Sequence, residues 1–400
     1  MRLYEPVIEN GRVMLLAGRR LSRDEIDSLV RRDPDLTLLI DDPVLDELVA
    51  FEDDSHERAV AATVQGKIAL AMGNVQHRLA RRTDAQNVNF RALKRAVREV
   101  MSYLTDNPVS AALLAGEPDG EHYLCDHIGN VFYLSMVLAS AVRDYVAGER
   151  RKQTAARELS PRIAYGLRPL GQGVVFMDLG MFSLQALFGK EEPLTDEECQ
   201  RVLEHPLIAL EMLPEHTDPT TRMIVRTHHE NYDGSGYPIG IGPERLHVFT
   251  RIVRIADSYD AAISRRVYKE AKSPARALWE MSVGPYRRFY DPVLMSVFAR
   301  LVQPFPVGAK LRLGDGRGAV LVRYNRRNPF TPTVLIAFDT EGRRLPKEQM
   351  EGPIRLDRRP DLRLTSYAGE DLSFIYEPEP DLDGVPIRQT FQSLYESVVP

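Results

Sequence analysis

Cysteine is scarce here: Cys125 and Cys199 are the only two in 400 residues. They give neither a disulfide framework nor the clustered spacing of a zinc knuckle, so both are read as reduced thiols of a cytoplasmic protein. Long apolar runs are lacking too, which predicts no membrane span, and the opening Met1-Arg2-Leu3-Tyr4-Glu5-Pro6 lacks the apolar centre of a signal peptide. Nor does one sign of charge dominate. The formal net charge is −5, with 52 Lys and Arg against 57 Asp and Glu, which gives no footing for a nucleic-acid polymer as partner. What is present is a globular composition, 44% hydrophobic and 27% charged, in a chain long enough for more than one domain.

The chemistry is concentrated in one stretch, His228-His229-Glu230-Asn231-Tyr232-Asp233-Gly234-Ser235-Gly236-Tyr237-Pro238. Asp218-Pro219 opens the preceding run with an N-cap residue and a first-turn proline, and Met223, Ile224 and Val225 give that helix its apolar content. Two neutral imidazoles at a helix end can converge on one divalent ion. Gly234 and Gly236 remove side-chain bulk from the turn, so backbone can come close to a ligand or a partner. A histidine pair alone reads as a solvated helix end; the full string does not. It resembles the signature of the HD-GYP domain family, a branch of the HD phosphohydrolases. The resemblance implies an all-helical bundle around a metal centre that hydrolyses the bacterial second messenger cyclic di-GMP. Its matches run from about Asp126 to Lys269.

Taken in order, residues 1–52 read as a small α/β module. Val13-Met14-Leu15-Leu16 and Leu36-Thr37-Leu38-Leu39-Ile40 are strand candidates, and the capping box Ser22-x-x-Glu25 opens a helix through Val30. A sensory or packing role is expected of it. Residues 53–120 read as a helical connector with two apolar stripes, Val60, Val64, Ile68, Ala71 and Val75, then Leu93, Val97, Val100, Met101 and Leu104. Its many arginines are read as a solvated helix face.

Residues 121–305 are assigned to the HD-GYP-type helical domain. Leu124, His127, Val131, Leu134 and Leu138 share one face of a helix expected from about His122 to Val146, so His127 points into the core. A lone histidine there is usually a hydrogen-bonded core residue. The resemblance of Asp126-His127-Ile128-Gly129-Asn130-Val131 to the family's first histidine motif implies a metal ligand instead. Tyr123 stands where one family variant places a glutamate for a third metal, so a trinuclear site is not expected. Residues 149–169 read as a surface insertion.

Val174-Val175-Phe176-Met177-Asp178-Leu179-Gly180-Met181 aligns with the family's apolar-His-Asp-Ile-Gly-Lys motif. Asp178 and Gly180 are kept, the histidine is Met177, the lysine is Met181, and a downstream Pro-Asp pair is Gln185-Ala186. A thioether is a poor replacement for imidazole on hard divalent ions, and loss of the lysine removes a cation that would meet phosphate. Thr195-x-x-Glu198 is a capping box whose helix leads to His205-Pro206, which matches the family's His-Pro ligand. Asp257 and Asp260 lie three apart on one face of a mostly apolar helix, where buried carboxylates need a cation or another partner. Arg266 and Lys269 resemble the basic pair that holds substrate phosphates; on their own they read as a basic helix end.

On the family pattern one ion would take Asp178, His205, His228 and His229, all present. The other would take His127, the missing histidine, Asp178 and Asp257. The expectation is a divalent transition metal, Fe or Mn, with one strong site and one weakened by Met177. The resemblance makes Asp178 and Asp260 the catalytic carboxylates and puts Gly236, Tyr237, Pro238, Arg266 and Lys269 at the substrate, cyclic di-GMP or a related phosphodiester. Two function classes stay open. One is a phosphodiesterase; the other is a catalytically inactive regulator that binds cyclic di-GMP or a signalling partner protein through the Gly-Tyr-Pro loop. The expected fold is mainly α, an HD-type helical bundle with the N-terminal α/β module, a small β subdomain at 306–345, and a proline-rich acidic extension at 346–400, partly irregular.

Overall fold

Helix starts in this chain are written locally, by short polar side chains followed by proline. Asp218, Ser273 and Asp291 each cap a helix whose first residue is proline, and Thr195 with Glu198 forms the capping box in both directions. The computed structural model describes residues 55–81, 88–109, 123–153, 161–184, 195–264 and 271–376, with isolated positions before 55 and at 112, 114 and 187. The fold is mainly α. In order, the helices of two turns or more are α1 (Ser55–Arg81), α2 (Phe90–Asp106), α3 (Tyr123–Ala141), α4 (Arg143–Gln153), α5 (Arg168–Met177) and α6 (Asp196–Leu203). They continue with α7 (His205–Met212), α8 (Pro219–Thr227), α9 (Val248–Ile263), α10 (Pro274–Ser282) and α11 (Pro292–Leu301).

All of these helices fall in one compact unit, Asp54–Pro304. Its centre is α3, which packs against α1, α5, α9 and α11 and is buried continuously from His127 to Ala139. Contrary to the expectation of no apolar run of membrane length, α3 has the length and composition for a span. Its apolar window is 78% buried within the bundle, so that surface faces protein. The helix expected to reach Val146 is interrupted by a turn at Val142, and α4 begins at Arg143. Residues 149–169 are not simply a surface insertion either. Arg150 is buried, donates to the carbonyls of Ile163, Ala164 and Gly166, and lies over the Phe249 ring. Arg251 of α9 ties further elements together: it donates to Glu149 at 2.9 Å, to Asp291 at 3.1 Å and to the Leu246 carbonyl at 2.8 Å. Tyr145 donates to the same Asp291 carboxylate at 2.8 Å.

The other unit joins the residues before 54 with the chain from Phe305 to Glu377, two pieces the sequence presents as separate. Its described N-terminal part contains β1 (Arg2–Leu3), β2 (Val7–Glu9), β3 (Arg12–Leu15) and β4 (Ile40–Asp41), with β1 antiparallel to β4 and β2 antiparallel to β3. Ile26, Ser28, Leu29 and Arg31 are helical; residues 36–39 of the second strand candidate lie outside the described residues. The C-terminal part is a six-stranded antiparallel sheet in the order β10-β9-β5-β6-β7-β8. Its strands are β5 (Lys310–Leu313), β6 (Gly318–Arg323), β7 (Thr333–Phe338), β8 (Glu351–Arg355), β9 (Leu364–Tyr367) and β10 (Glu370–Asp371). The boundary drawn at residue 345 therefore cuts the sheet. β8 escapes a pattern reading because it is an edge strand with mostly exposed side chains, so it shows no apolar alternation. Leu356, Leu362, Leu364, Leu372 and Phe374, all beyond that boundary, are buried. Residues 377–400 of the expected extension lie outside the described residues.

Candidate metal centre

The site is assembled mostly from helix ends. Asp178 is the C-cap of α5, His205 the first residue of α7, His228 the C-cap of α8, with His229 next to it. His127 comes from α3 and Asp257 from the middle of α9. All six are buried. Two glycines let the pieces meet. A Cβ on Gly180 would collide with the backbone of His205 and Ala209, so only glycine lets the Asp178 turn lie on α7. A Cβ on Gly236 would strike the backbone of His229, Glu230 and Asn231, so the Gly-Tyr-Pro loop folds back onto the histidine pair.

That loop is held from inside. Glu230 is fully buried and accepts the backbone N–H groups of Ile239, Gly240 and Ile241 at 2.7, 3.0 and 3.1 Å. The Tyr237 ring stacks on His229 with centroids 4.8 Å apart, and the Tyr237-Pro238 peptide is cis.

The donor atoms converge unevenly. His205 Nδ1 donates to the Val202 carbonyl at 2.7 Å, and His228 Nδ1 to the Val225 carbonyl at 2.9 Å. A carbonyl only accepts, so Nδ1 of each ring carries a proton and each Nε2 turns inward. These two Nε2 atoms lie 3.0 Å apart. At that distance the two nitrogens must share a proton or hold a cation between them. Ligand atoms of His205, His228 and His229 all fall within 4.8 Å of one another. Asp178 Oδ1 is 3.4 Å from His205 Nε2 and 3.7 Å from His228 Nε2.

Protonation states match a ligand set. Burial, then the neighbouring His205, pushes the His228 imidazole down to about 4. Burial, then His228 and His205, also holds His229 well below its usual value. Burial alone would raise Asp178, but His205 and the other imidazoles bring it down to about 2. Asp178 Oδ2, His229 Nδ1 and Asp257 Oδ2 are buried without a hydrogen-bond partner. Neutral imidazoles, an ionised carboxylate and orphaned buried acceptors fit a divalent cation.

The other half of the site is arranged differently. His127 Nε2 lies 3.2 Å from Asp257 Oδ1 and 3.7 Å from Asp178 Oδ2, while its Nδ1 bonds Asp260 at 2.6 Å. Burial opposes it, but Tyr123 and the carboxylates of Asp257 and Asp260 hold this imidazole well above its usual value. Asp260 therefore stands behind His127 rather than among the converging atoms, and it also accepts Asn130 Nδ2 at 2.7 Å. Met177 is fully buried at the end of α5. Met181 packs on the apolar cluster of Leu184, Leu187 and Val202. Arg266, Lys269, Gln185 and Ala186 lie outside the described residues.

Sequence reasoning missed three contributors. Asn130 lies one turn beyond His127 and shares its face, the signal that could have found it. Glu230 was inside the motif but had no role. Arg254, one turn before Asp257, donates Nε to Asn231 Oδ1 at 2.9 Å.

Residues 176–294 match the HD domain family, a stretch that holds Asp178, the three clustered histidines, Asp257 and Asp260, with His127 upstream. Among characterised proteins, the chain is 30% identical over 180 residues to cyclic di-GMP phosphodiesterase PA4108 of Pseudomonas aeruginosa, covering 44% of this chain and 43% of that one. It is 28% identical over 262 residues to a cyclic di-GMP phosphodiesterase of Vibrio cholerae, covering 63% and 51%. It is 32% identical over 160 residues to the cyclic di-GMP phosphodiesterase response regulator RpfG of Xanthomonas campestris pv. campestris, covering 39% and 40%. The matched stretch thus spans about half, or less, of these relatives.

Proposed function

Since this chain belongs to the HD-GYP family of HD domains, we propose that it is a metal-dependent phosphodiesterase acting on cyclic di-GMP or a related cyclic dinucleotide, with one strong metal site and one weak one. The observation that carries the reading is the pair of inward-turned Nε2 atoms of His205 and His228, 3.0 Å apart. With His229 and Asp178 they would hold the strong ion, Fe or Mn. His127 and Asp257, with Met177 in place of a third donor, would make the weak site. A bound ion supplies Lewis-acid charge towards water and the phosphodiester oxygens. The chain's own residues do the rest: Asp178 spans the two halves, Asp260 fixes the orientation of His127, and the loop at Gly236, Tyr237 and Pro238 covers one side. Arg266 and Lys269 are the proposed phosphate contacts.

A second reading is favoured by one observation. Met181 packs with Leu184, Leu187 and Val202, which leaves no cation at the position where the family has a lysine. On that reading the chain is a regulator that binds cyclic di-GMP, or a signalling protein at the loop, without cleaving it. The test is metal content of the purified chain, with hydrolysis of cyclic di-GMP followed by chromatography. About one ion per chain is expected, lost in His228→Ala and His229→Ala and largely retained in His127→Ala. Tight binding of two ions, or equal loss in all three variants, overturns the assignment; a loaded chain that binds but never hydrolyses the dinucleotide is the regulator.

A further inference from the structure

Asp257 and Asp178 are not matched alike. The ion pairs of Asp178 among the described residues are with imidazoles only, those of His127, His205 and His228. Asp257 faces a permanent cation: Arg254 Nη1 lies 3.6 Å from Asp257 Oδ2. That same oxygen is 3.6 Å from His229 Nδ1 and points into the site. Arg254 is 4% exposed, and neither its Nη1 nor Asp257 Oδ2 has a hydrogen-bond partner. A buried guanidinium is expensive unless a carboxylate offsets it. Its direction is fixed from behind, since Nε donates to Asn231, whose Nδ2 in turn donates to Ser235 Oγ at 3.0 Å in the loop.

We propose that Arg254 is the built-in counter-charge of the Asp257 half of the site, a positioning residue that takes the electrostatic place of a second divalent ion. This rests on the metal-dependent reading above. A cation held in the protein repels another arriving within a few ångströms of the same carboxylate. The chain thus carries one mobile cation and one covalently attached one. Met177 and Arg254 act together: the first removes a donor from the weak half, the second makes the missing charge unnecessary.

Charge, rather than a hydrogen bond to Asn231, is the property to test. Arg254→Gln keeps a donor towards Asn231 without the charge, and Arg254→Lys keeps the charge without the fork. Mn²⁺ titration by calorimetry, with bound metal measured on the full chain, reads the outcome. The natural chain and Arg254→Lys should take about one ion, whereas Arg254→Gln should bind a second ion at least about tenfold more tightly than the natural chain does. Unchanged or weakened second-ion binding in Arg254→Gln overturns the proposal. Should Arg254→Gln not fold, the metal-free chain answers instead. Asp257→Asn strands the guanidinium and lowers the unfolding temperature, and adding Arg254→Gln to Asp257→Asn restores part of that loss. No restoration overturns the proposal. A natural chain with no divalent ion at the three histidines would instead defeat the metal-dependent reading, while leaving this metal-free pair test to stand or fall alone.

Discussion

Asp260 Oδ2 lies 2.6 Å from Nδ1 of His127, and its other oxygen is held at 2.7 Å by Asn130. The carboxylate is thus committed on both oxygens and faces the back of the imidazole. Its work is orientation, and Ser264 Oγ, 3.4 Å from Oδ2, completes the grip. A carboxylate behind a ligand histidine sets which ring nitrogen turns to the metal.

Asp260→Asn should therefore lower affinity for the weak second ion, by about tenfold or more, while sparing the ion held by the three histidines. Metal titration of the two variants, natural and Asp260→Asn, separates the two sites. Loss of the strong ion would contradict a role confined to His127.

Glu230 is fully buried and answers three loop N–H groups, so its removal leaves several donors stranded at once. Glu230→Ala should cost on the order of 2 kcal/mol or more, read as a lower midpoint in urea. Proteolysis should begin in the loop around Gly234. A variant as stable as the natural chain would show that water replaces the carboxylate without loss.

Met177 is fully buried next to Asp178 in the chain, and on the family pattern an imidazole there would join His127 and Asp257. Met177→His should raise uptake of the second ion, and adding Arg254→Gln should raise it further. Met181→Lys is a different matter. Its side chain would have to leave the Leu184, Leu187 and Val202 cluster and reach water along its stem. We expect that change to lower stability, and metal analysis with thermal unfolding of each variant distinguishes the two effects.

His247 caps α9 by accepting the Phe249 N–H at 3.1 Å, and burial, then Arg150 and Arg251, brings its imidazole down to about 3. The folded chain keeps this ring neutral, while the unfolded chain protonates it near about 6.5. A depressed histidine therefore gives full stability above that value and loses it as pH falls towards about 3. His247→Asn keeps a side-chain acceptor for the cap without the titration. Its unfolding temperature should drop less between pH 7 and pH 5 than that of the natural chain, roughly the window above most carboxylates. Equal drops would assign the acid sensitivity elsewhere.

Much of the helical unit was readable because its signals are local. Asp218-Pro219, the Thr195 and Glu198 box, and the stripe from Leu124 through Leu138 are each decided within a few residues. The convergence of His205 with His228 needs the family pattern, since nothing between residues 205 and 228 encodes their distance. Arg254 stayed unread for a similar reason. On α9 it looks like one more polar residue in an apolar helix, and only the folded loop supplies Asn231 as its partner. The sheet beyond residue 345 was missed because β8 is an exposed edge and β10 is two residues long, too little for a period to show.

Arg251 sits in a joint shielded from dissolved salt. Its guanidinium is 5% exposed, and the Asp291 carboxylate it meets is wholly inside. Mobile ions act on charges they can approach, over a Debye length of about 10 Å at 0.1 M salt. Surface pairs such as Arg355 with Asp357 stand in that atmosphere and lose their attraction in brine. The attachment of α4, α9 and the start of α11 to one another does not. High ionic strength should therefore loosen the skin of this protein well before it reaches the frame that holds the site.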